Sequence, residues 1–269
     1  MTCPHCQSPA VYRWKQRTAL GYRRFSCSGC GRRFNERTGT AFNELQFPTD
    51  IVLLALLWRL RYKLSLRDVA ELLLQRGYSV THETIHAWEF RFAPLLSARL
   101  RERRRGCGGR SWYIDETYVK VSGRWCYLYR AIDRDGALLD SMLSAHRDRH
   151  AARRFLRALL EVSTRRPLRV TTDHHGSYPK AIRWIVGRTA RHRRARYLNN
   201  RTEQSHRPLK QRYYPMLGFG NFESASRFCT AFDELRNYFR IATLSTSLSE
   251  RRRLFMSQWN ELVDELSAA

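Results

Sequence analysis

Residues 112–136 read WYIDETYVKVSGRWCYLYRAIDRDG. Two runs rich in β-branched and aromatic residues, Trp112 to Val121 and Arg124 to Ile132, are divided by a turn at Gly123 and closed by Asp133 to Gly136. A third run, Ala137 to Leu143, completes an expected antiparallel meander. Asp115 stands in the middle of the first run, beside Ile114, where an unpaired carboxylate is disfavoured unless it serves a purpose. Strand alternation sets Asp115 on one face with Tyr113, Thr117 and Val119 and turns Glu116 to the other, which makes Glu116 the weaker candidate.

Downstream, Arg149 to Val162 has the spacing of an amphipathic helix with Phe155, Leu156, Leu159 and Leu160 inward. Leu168 to Thr172 reads as a strand ending at Asp173, and Tyr178 to Val186 as a helix. A basic β-type segment runs up to Leu198, and a further helix from Asn199 carries Glu203. The order β-β-β-α-β-α-β-α is that of an RNase H-like α/β domain, a mixed five-stranded sheet with flanking helices. That architecture holds one acid in the first strand, one at the end of the fourth and one on the following helix. Asp115, Asp173 and Glu203 occupy those positions. Three such carboxylates suffice to hold Mg²⁺ (or Mn²⁺) ions roughly 4 Å apart for an in-line phosphodiester displacement.

Each acid also has a structural role open to it. Asp173 before His174-His175-Gly176 suits a turn, and Glu203, third after Asn200, suits a capping box. Asp133, Asp135, Asp140 and Asp148 read as turn and surface residues. His174, His175 and His206 are expected to support the carboxylates.

Upstream, Cys3-x-x-Cys6 and Cys27-x-x-Cys30, with alternating segments between them, predict a zinc ribbon over residues 1–40, its Zn²⁺ held by four thiolates. Residues 45–97 read as a helix-turn-helix domain. Its first helix begins at Pro48-Thr49-Asp50, Ser65 to Asp68 is a capping box, Gly77 is a stop, and Thr81 caps a helix with Ile85, Trp88 and Phe92 on one face. His82, Thr84 and His86 open that recognition helix and are candidate DNA contacts. Residues 98–110 (ARLRERRRGCGGR from Ala98) read as a solvated basic linker, 111–241 as the catalytic domain, and 242–269 as an amphipathic C-terminal helix with Phe255, Trp259, Leu262 and Leu266 aligned, expected to pack on its own chain.

Composition agrees with a nucleic-acid partner. Of 49 bases 44 are Arg, against 24 acids, for a net charge of +25, and 43% of residues are hydrophobic, too many for a disordered polycation. Seven cysteines and no apolar leader at the N-terminus fit a reducing cytoplasm, and the longest apolar run, Ile51 to Trp58, is too short for a membrane span.

The stretch 112–136, with TTDHHGSYPKAI around Asp173 and YLNNRTEQSHRPLKQRYYPMLGFGNFESASRF around Glu203, resembles the DDE transposases of the IS6/IS26 insertion-sequence family. The likeness spans about residues 45 to 240. It implies that Asp115, Asp173 and Glu203 form the catalytic, metal-binding triad, and that Lys210, seven residues after Glu203, grips DNA, with Arg207 beside it. It also implies terminal-repeat binding, cleavage to 3′-OH ends, joining to target DNA, replicative movement, and a dimer or larger homo-oligomer in the bacterial cytoplasm at the nucleoid. Two departures are a spacing of only 29 residues between Asp173 and Glu203, and Pro208, expected to remove a helical bond to the Gln204 carbonyl and bend the axis. Rival classes are a DNA-binding regulator that retains the fold and an RNase H-like nuclease that cuts without joining.

Overall fold

A computed structural model describes residues 1–194, 200–240 and 247–267, leaving aside the side chains of 200–203. The chain forms two compact units, residues 1–55 with 245–269, and residues 56–244.

In the first unit β1 (Val11–Arg17), β2 (Arg23–Cys27) and β3 (Arg33–Asn35) form an antiparallel sheet in sequence order. Its core is minimal: Phe25 stacks on Phe34 at 5.4 Å, joined by Cys3, Cys27 and Val11. So little buried apolar surface cannot by itself offset the conformational entropy of ordering the segment. Tyr22 ties the sheet to the start of α1 (Thr49–Arg61), its hydroxyl accepting from the Thr49 N–H at 2.8 Å. The C-terminal helix α8 (Leu248–Ser267) buries Leu262 and Leu266, two of the four residues expected on its inward face.

The second unit begins with the end of α1 and continues through α2 (Leu66–Leu74) and α3 (His82–Arg103). Ser65 and Asp68 form the expected capping box, and the Thr81 side chain accepts from the Thr84 N–H. Ile85, Trp88 and Phe92 are buried. Helix α3 runs on past Ser97 to Arg103, into the basic stretch expected to be a solvated linker. Residues 98–103 are therefore helical and no solvated linker, for a physical reason. Arg104 is drawn in between Glu234, at 2.5 Å, and Asp140, at 3.3 Å, while Arg101 reaches Asp140 at 2.7 Å. Asp140 is thus a buried ion-pair partner and no surface residue. Asp133 is buried as well, but it does form the turn, accepting from the N–H groups of Gly109, Asp135 and Ala137. Asp148 is the exposed N-cap of the helix that begins at Arg149.

The five-stranded sheet is built from β4 (Ser111–Val121), β5 (Arg124–Ile132), β6 (Leu138–Ser144), β7 (Arg169–Thr172) and β8 (Arg191–Arg194). Its order is β6-β5-β4-β7-β8, with β5 antiparallel to both β4 and β6, and β7 and β8 parallel to β4. A mixed sheet of order 3-2-1-4-5 with only the second strand reversed is the RNase H-like fold. The β4–β5 hairpin turns on Ser122 and Gly123, both at positive φ, whose twist matches that of the flanking strands.

Helices α4 (Arg149–Ser163) and α5 (Tyr178–Ile185) cover one face, burying Phe155, Leu156, Leu159, Tyr178 and Ile182 against Trp112, Ile114 and Tyr129. The other face receives α6 (Asn200–Tyr213) on β4 and α7 (Phe222–Tyr238) on β6. Strand β4 outlasts its neighbour. Pairing with β7 covers only Ser111 to Tyr113, so from Ile114 onward that edge of β4 is released from the ladder. Farther along, Phe219 covers the edge again, its N–H bonding the Lys120 carbonyl and its carbonyl accepting from Ser122.

Candidate active site

The released edge of β4 gathers the acids. Asp115 and Glu116 lie on opposite faces of the strand, as alternation requires, and Asp173 follows the last residue of β7. Carboxylate oxygens of all three lie within 4.8 Å of one another. Alternation alone makes Glu116 the weaker candidate, yet it joins the other two acids, because among the described residues no strand pairs with that edge of β4 from Ile114 until Phe219. The site lies beside the middle of β4, at the carboxyl end of β7, which is the end of the sheet where open α/β folds place their ligands.

Each acid is held differently. Asp173 Oδ1 accepts from the His175 N–H at 3.0 Å, so the turn role is real, and it leaves Oδ2 for Arg147 at 2.6 Å. Arg147 also reaches Glu116 Oε2 at 3.2 Å. Glu116 is almost fully enclosed, facing Tyr129 and Tyr178, and its buried Oε1 has no hydrogen-bond partner among the described residues. Burial pushes its carboxyl up to about 6, against the opposing pull of the Tyr178 hydroxyl and the Arg147 guanidinium. Arg147 is raised by the same two acids, against its own burial, and stays charged.

Asp115 looks to the α6 face. His206 Nε2 stands 3.5 Å from Asp115 Oδ2, too far for a hydrogen bond, and the Nδ1 side of the ring meets Arg130 at 3.4 Å. Burial lowers the His206 pKa, so the ring is neutral at pH 7. Arg130, the cross-strand partner of Asp115, is buried against Asp233 of α7 at 3.0 Å and donates to the Ser205 carbonyl and hydroxyl. These contacts fasten α6 to the sheet. Of the other two histidines, His175 bonds Ser177 through Nδ1 and His174 is exposed.

Glu203 lies in the first turn of α6, and its side chain, like the expected cap at Asn200, falls outside the described atoms. The helix continues through Pro208 to Tyr213, with Arg207 exposed and Lys210 half-buried.

Sequence reasoning missed Arg147. Strand direction carried a signal for it: β6 runs parallel to β4 and β7, so the residues following Ser144 emerge at the same end of the sheet as the acids.

The four N-terminal cysteines cluster independently. Their sulfurs lie within 4.8 Å of one another, Cys3 3.7 Å from Cys30 and Cys6 3.5 Å from Cys27. These separations are too long for disulfides and match the edge of a tetrahedron with metal–sulfur bonds of about 2.3 Å. Backbone N–H groups, led by that of Cys30, lower the Cys27 thiol to about 6, which favours the thiolate a metal takes. The cluster fits a zinc ribbon. In α3, His82 pairs with Glu83 at 2.8 Å, Thr84 is partly engaged by Thr81, and His86 is exposed. No helix among the described residues is long and apolar enough to cross a membrane.

Comparison with known proteins places these features. A family model described as a DDE domain, DDE_Tnp_IS240, matches residues 109–241. The transposase of insertion sequence-like element IS431mec from Staphylococcus aureus strain Mu50 is 38% identical over 175 residues, 64% of this chain and 77% of that protein. The S. aureus transposase of IS257 in transposon Tn4003 gives the same identity and coverage. Among solved structures, the simian T-cell lymphotropic virus intasome in complex with PP2A regulatory subunit B56 gamma is 18% identical with a TM-score of 0.39, over 56% of each chain. The HTLV-2 integrase catalytic core domain in complex with magnesium is 18% identical with a TM-score of 0.37, over 56% of this chain and 99% of that one.

Proposed function

This chain belongs to the IS6/IS26 family of DDE transposases, and from that premise we propose that it cuts the ends of a mobile DNA element to 3′-OH and joins them to target DNA. The observation that carries the proposal is the convergence of carboxylates at the released edge of β4, in a chain with twice as many bases as acids. Asp115, Asp173 and Glu203 are the proposed catalytic residues and metal ligands. Support for Glu203 comes from its place on α6, three residues before His206, which meets Asp115. Divalent ions such as Mg²⁺ or Mn²⁺ bound there would activate the attacking hydroxyl and stabilise the leaving oxygen of an in-line displacement.

The chain's own groups do the positioning. His206, neutral and wedged against Arg130, limits the movement of Asp115. Arg147 offsets the repulsion between Glu116 and Asp173 and presents a guanidinium suited to a phosphate oxygen. Glu116, enclosed and holding Arg147, is assigned to positioning. Lys210 and Arg207 on α6 are assigned to DNA-backbone contact. His82, Thr84 and His86 at the start of α3 are assigned to base-edge contact in the terminal repeat. The cluster of Cys3, Cys6, Cys27 and Cys30 is assigned a structural Zn²⁺ that stabilises an end-binding ribbon. A homo-oligomer follows from the need to hold two element ends together.

The test is an assay of purified protein with labelled element-end DNA, target plasmid and Mg²⁺. The proposal expects a cut end and a joined product. Binding without cutting would point to a regulator, and cutting without joining to a nuclease; either would overturn it.

A further inference from the structure

The face of β4 that carries Glu116 continues outward into a group of aromatic rings, of which Tyr127 packs against the core while Tyr118 and Trp125 stand out from it. Tyr118 is 50% exposed and Trp125 56%, although both sit in a regular, fully paired hairpin. Tyr118 meets Trp125 edge-on at 6.2 Å and Tyr127, its cross-strand partner, at 5.4 Å. Exposed rings in mutual contact lose little side-chain entropy on binding and offer broad π-faces. Lys120, exposed on the same face and paired across the strands with Trp125, borders the rings with positive charge.

A second observation lies beside them. Leu217 is 91% exposed and held at positive φ, a conformation unfavourable for leucine, in a segment tied to the hairpin by the Phe219 bonds to Lys120 and Ser122. A strained, outward-pointing apolar side chain on an anchored loop has the form of a wedge.

We propose that the outer face of the β4–β5 hairpin, formed by Tyr118, Trp125 and Tyr127 with Leu217 at its rim, is a stacking platform for unpaired DNA bases next to the cleavage site. Position favours this ligand. Tyr118 is two residues beyond Glu116 on the same face, about 7 Å along the strand. A strand bound with its phosphate at the carboxylates and running toward the hairpin turn would pass its neighbouring bases over the rings. Positive charge at the border suits a polyanion, and stacking on aromatic rings is tolerant of sequence. The inference rests on the DNA-cutting reading above.

The test uses the full-length protein without added Mg²⁺, so that it reads binding and no catalysis. The probe is a short duplex carrying an unpaired tail with 2-aminopurine, compared with the same duplex blunt. The unaltered protein is expected to quench the tail's fluorescence and to bind the tailed duplex about tenfold more tightly than the blunt one. Trp125→Ala and Tyr118→Ala should each lose the quench and most of that preference while blunt-duplex affinity stays unchanged, and Trp125→Phe should restore both. Quenching undiminished in Trp125→Ala would overturn the platform, as would an equal loss of affinity for both duplexes. A change in oligomeric state with quenching intact would also overturn it and assign the rings to contact between copies of the chain. If the unaltered protein bound neither duplex, the DNA-cutting reading itself would fail, and the platform with it.

Discussion

Glu116 is the residue at which this site differs most from a simple reading of strand alternation. Its carboxyl is raised to about 6 by burial, against about 4.3 in an unfolded chain. Between those values the folded protein holds the proton that the unfolded chain has released. Stability therefore falls as pH rises through that window, and below it the difference vanishes. Without added Mg²⁺, Glu116→Gln should raise the urea midpoint at pH 7, by up to about 2 kcal/mol in unfolding free energy, and leave it unchanged at pH 4. Equal midpoints at both pH values would show that Glu116 is ionised at no cost. That the carboxylates of Asp115 and Asp173 come together was legible in the sequence, because an acid inside a strand and an acid at a strand end are conspicuous. Glu116 and Arg147 were not, since their roles depend on where β7 stops and on which end of the sheet β6 points to, and neither is a local property of the chain.

Elements were read well wherever a local signal fixes them. The Ser65–Asp68 box, the Thr81 cap and the Gly123 turn each mark a boundary through a bond or a φ value that neighbouring residues determine. Where boundaries depend on distant partners the reading fell short. Helix α3 extends to Arg103, and Arg104 is drawn in by Asp140 and Glu234, the latter 130 residues away. A similar long-range pair joins α1 to α3, where Arg59 meets Glu89 at 2.9 Å with both side chains about nine-tenths buried. Removing one partner strands a buried charge. Glu89→Ala should therefore cost about 3–5 kcal/mol in denaturant unfolding, while Glu89→Met with Arg59→Met should recover most of the loss. A cost below about 1 kcal/mol for the single change would show that Arg59 reaches water without Glu89.

At the scale of the molecule, the two units depend on different forces. The five-stranded sheet has a continuous apolar core, whereas the N-terminal sheet rests on a few residues beside the four cysteines. Chelation should unfold residues 1–40, seen as loss of amide protection there, while β4 to β7 keep theirs. Retained protection in β1 and β2 after metal removal would mean that the ribbon folds without zinc. The central claim concerns which carboxylates complete the site: the structure brings Glu116 to Asp115 and Asp173, while Glu203 is the third ligand proposed above. Joining of pre-cut element ends in Mg²⁺ by Glu203→Gln and Glu116→Gln, each checked for intact end binding, decides between them. A metal ligand lost should lower the rate at least about 10³-fold, a positioning residue about 10- to 100-fold. The account predicts the larger loss for Glu203→Gln and the smaller for Glu116→Gln; near-normal joining by Glu203→Gln, with joining abolished in Glu116→Gln, would contradict it.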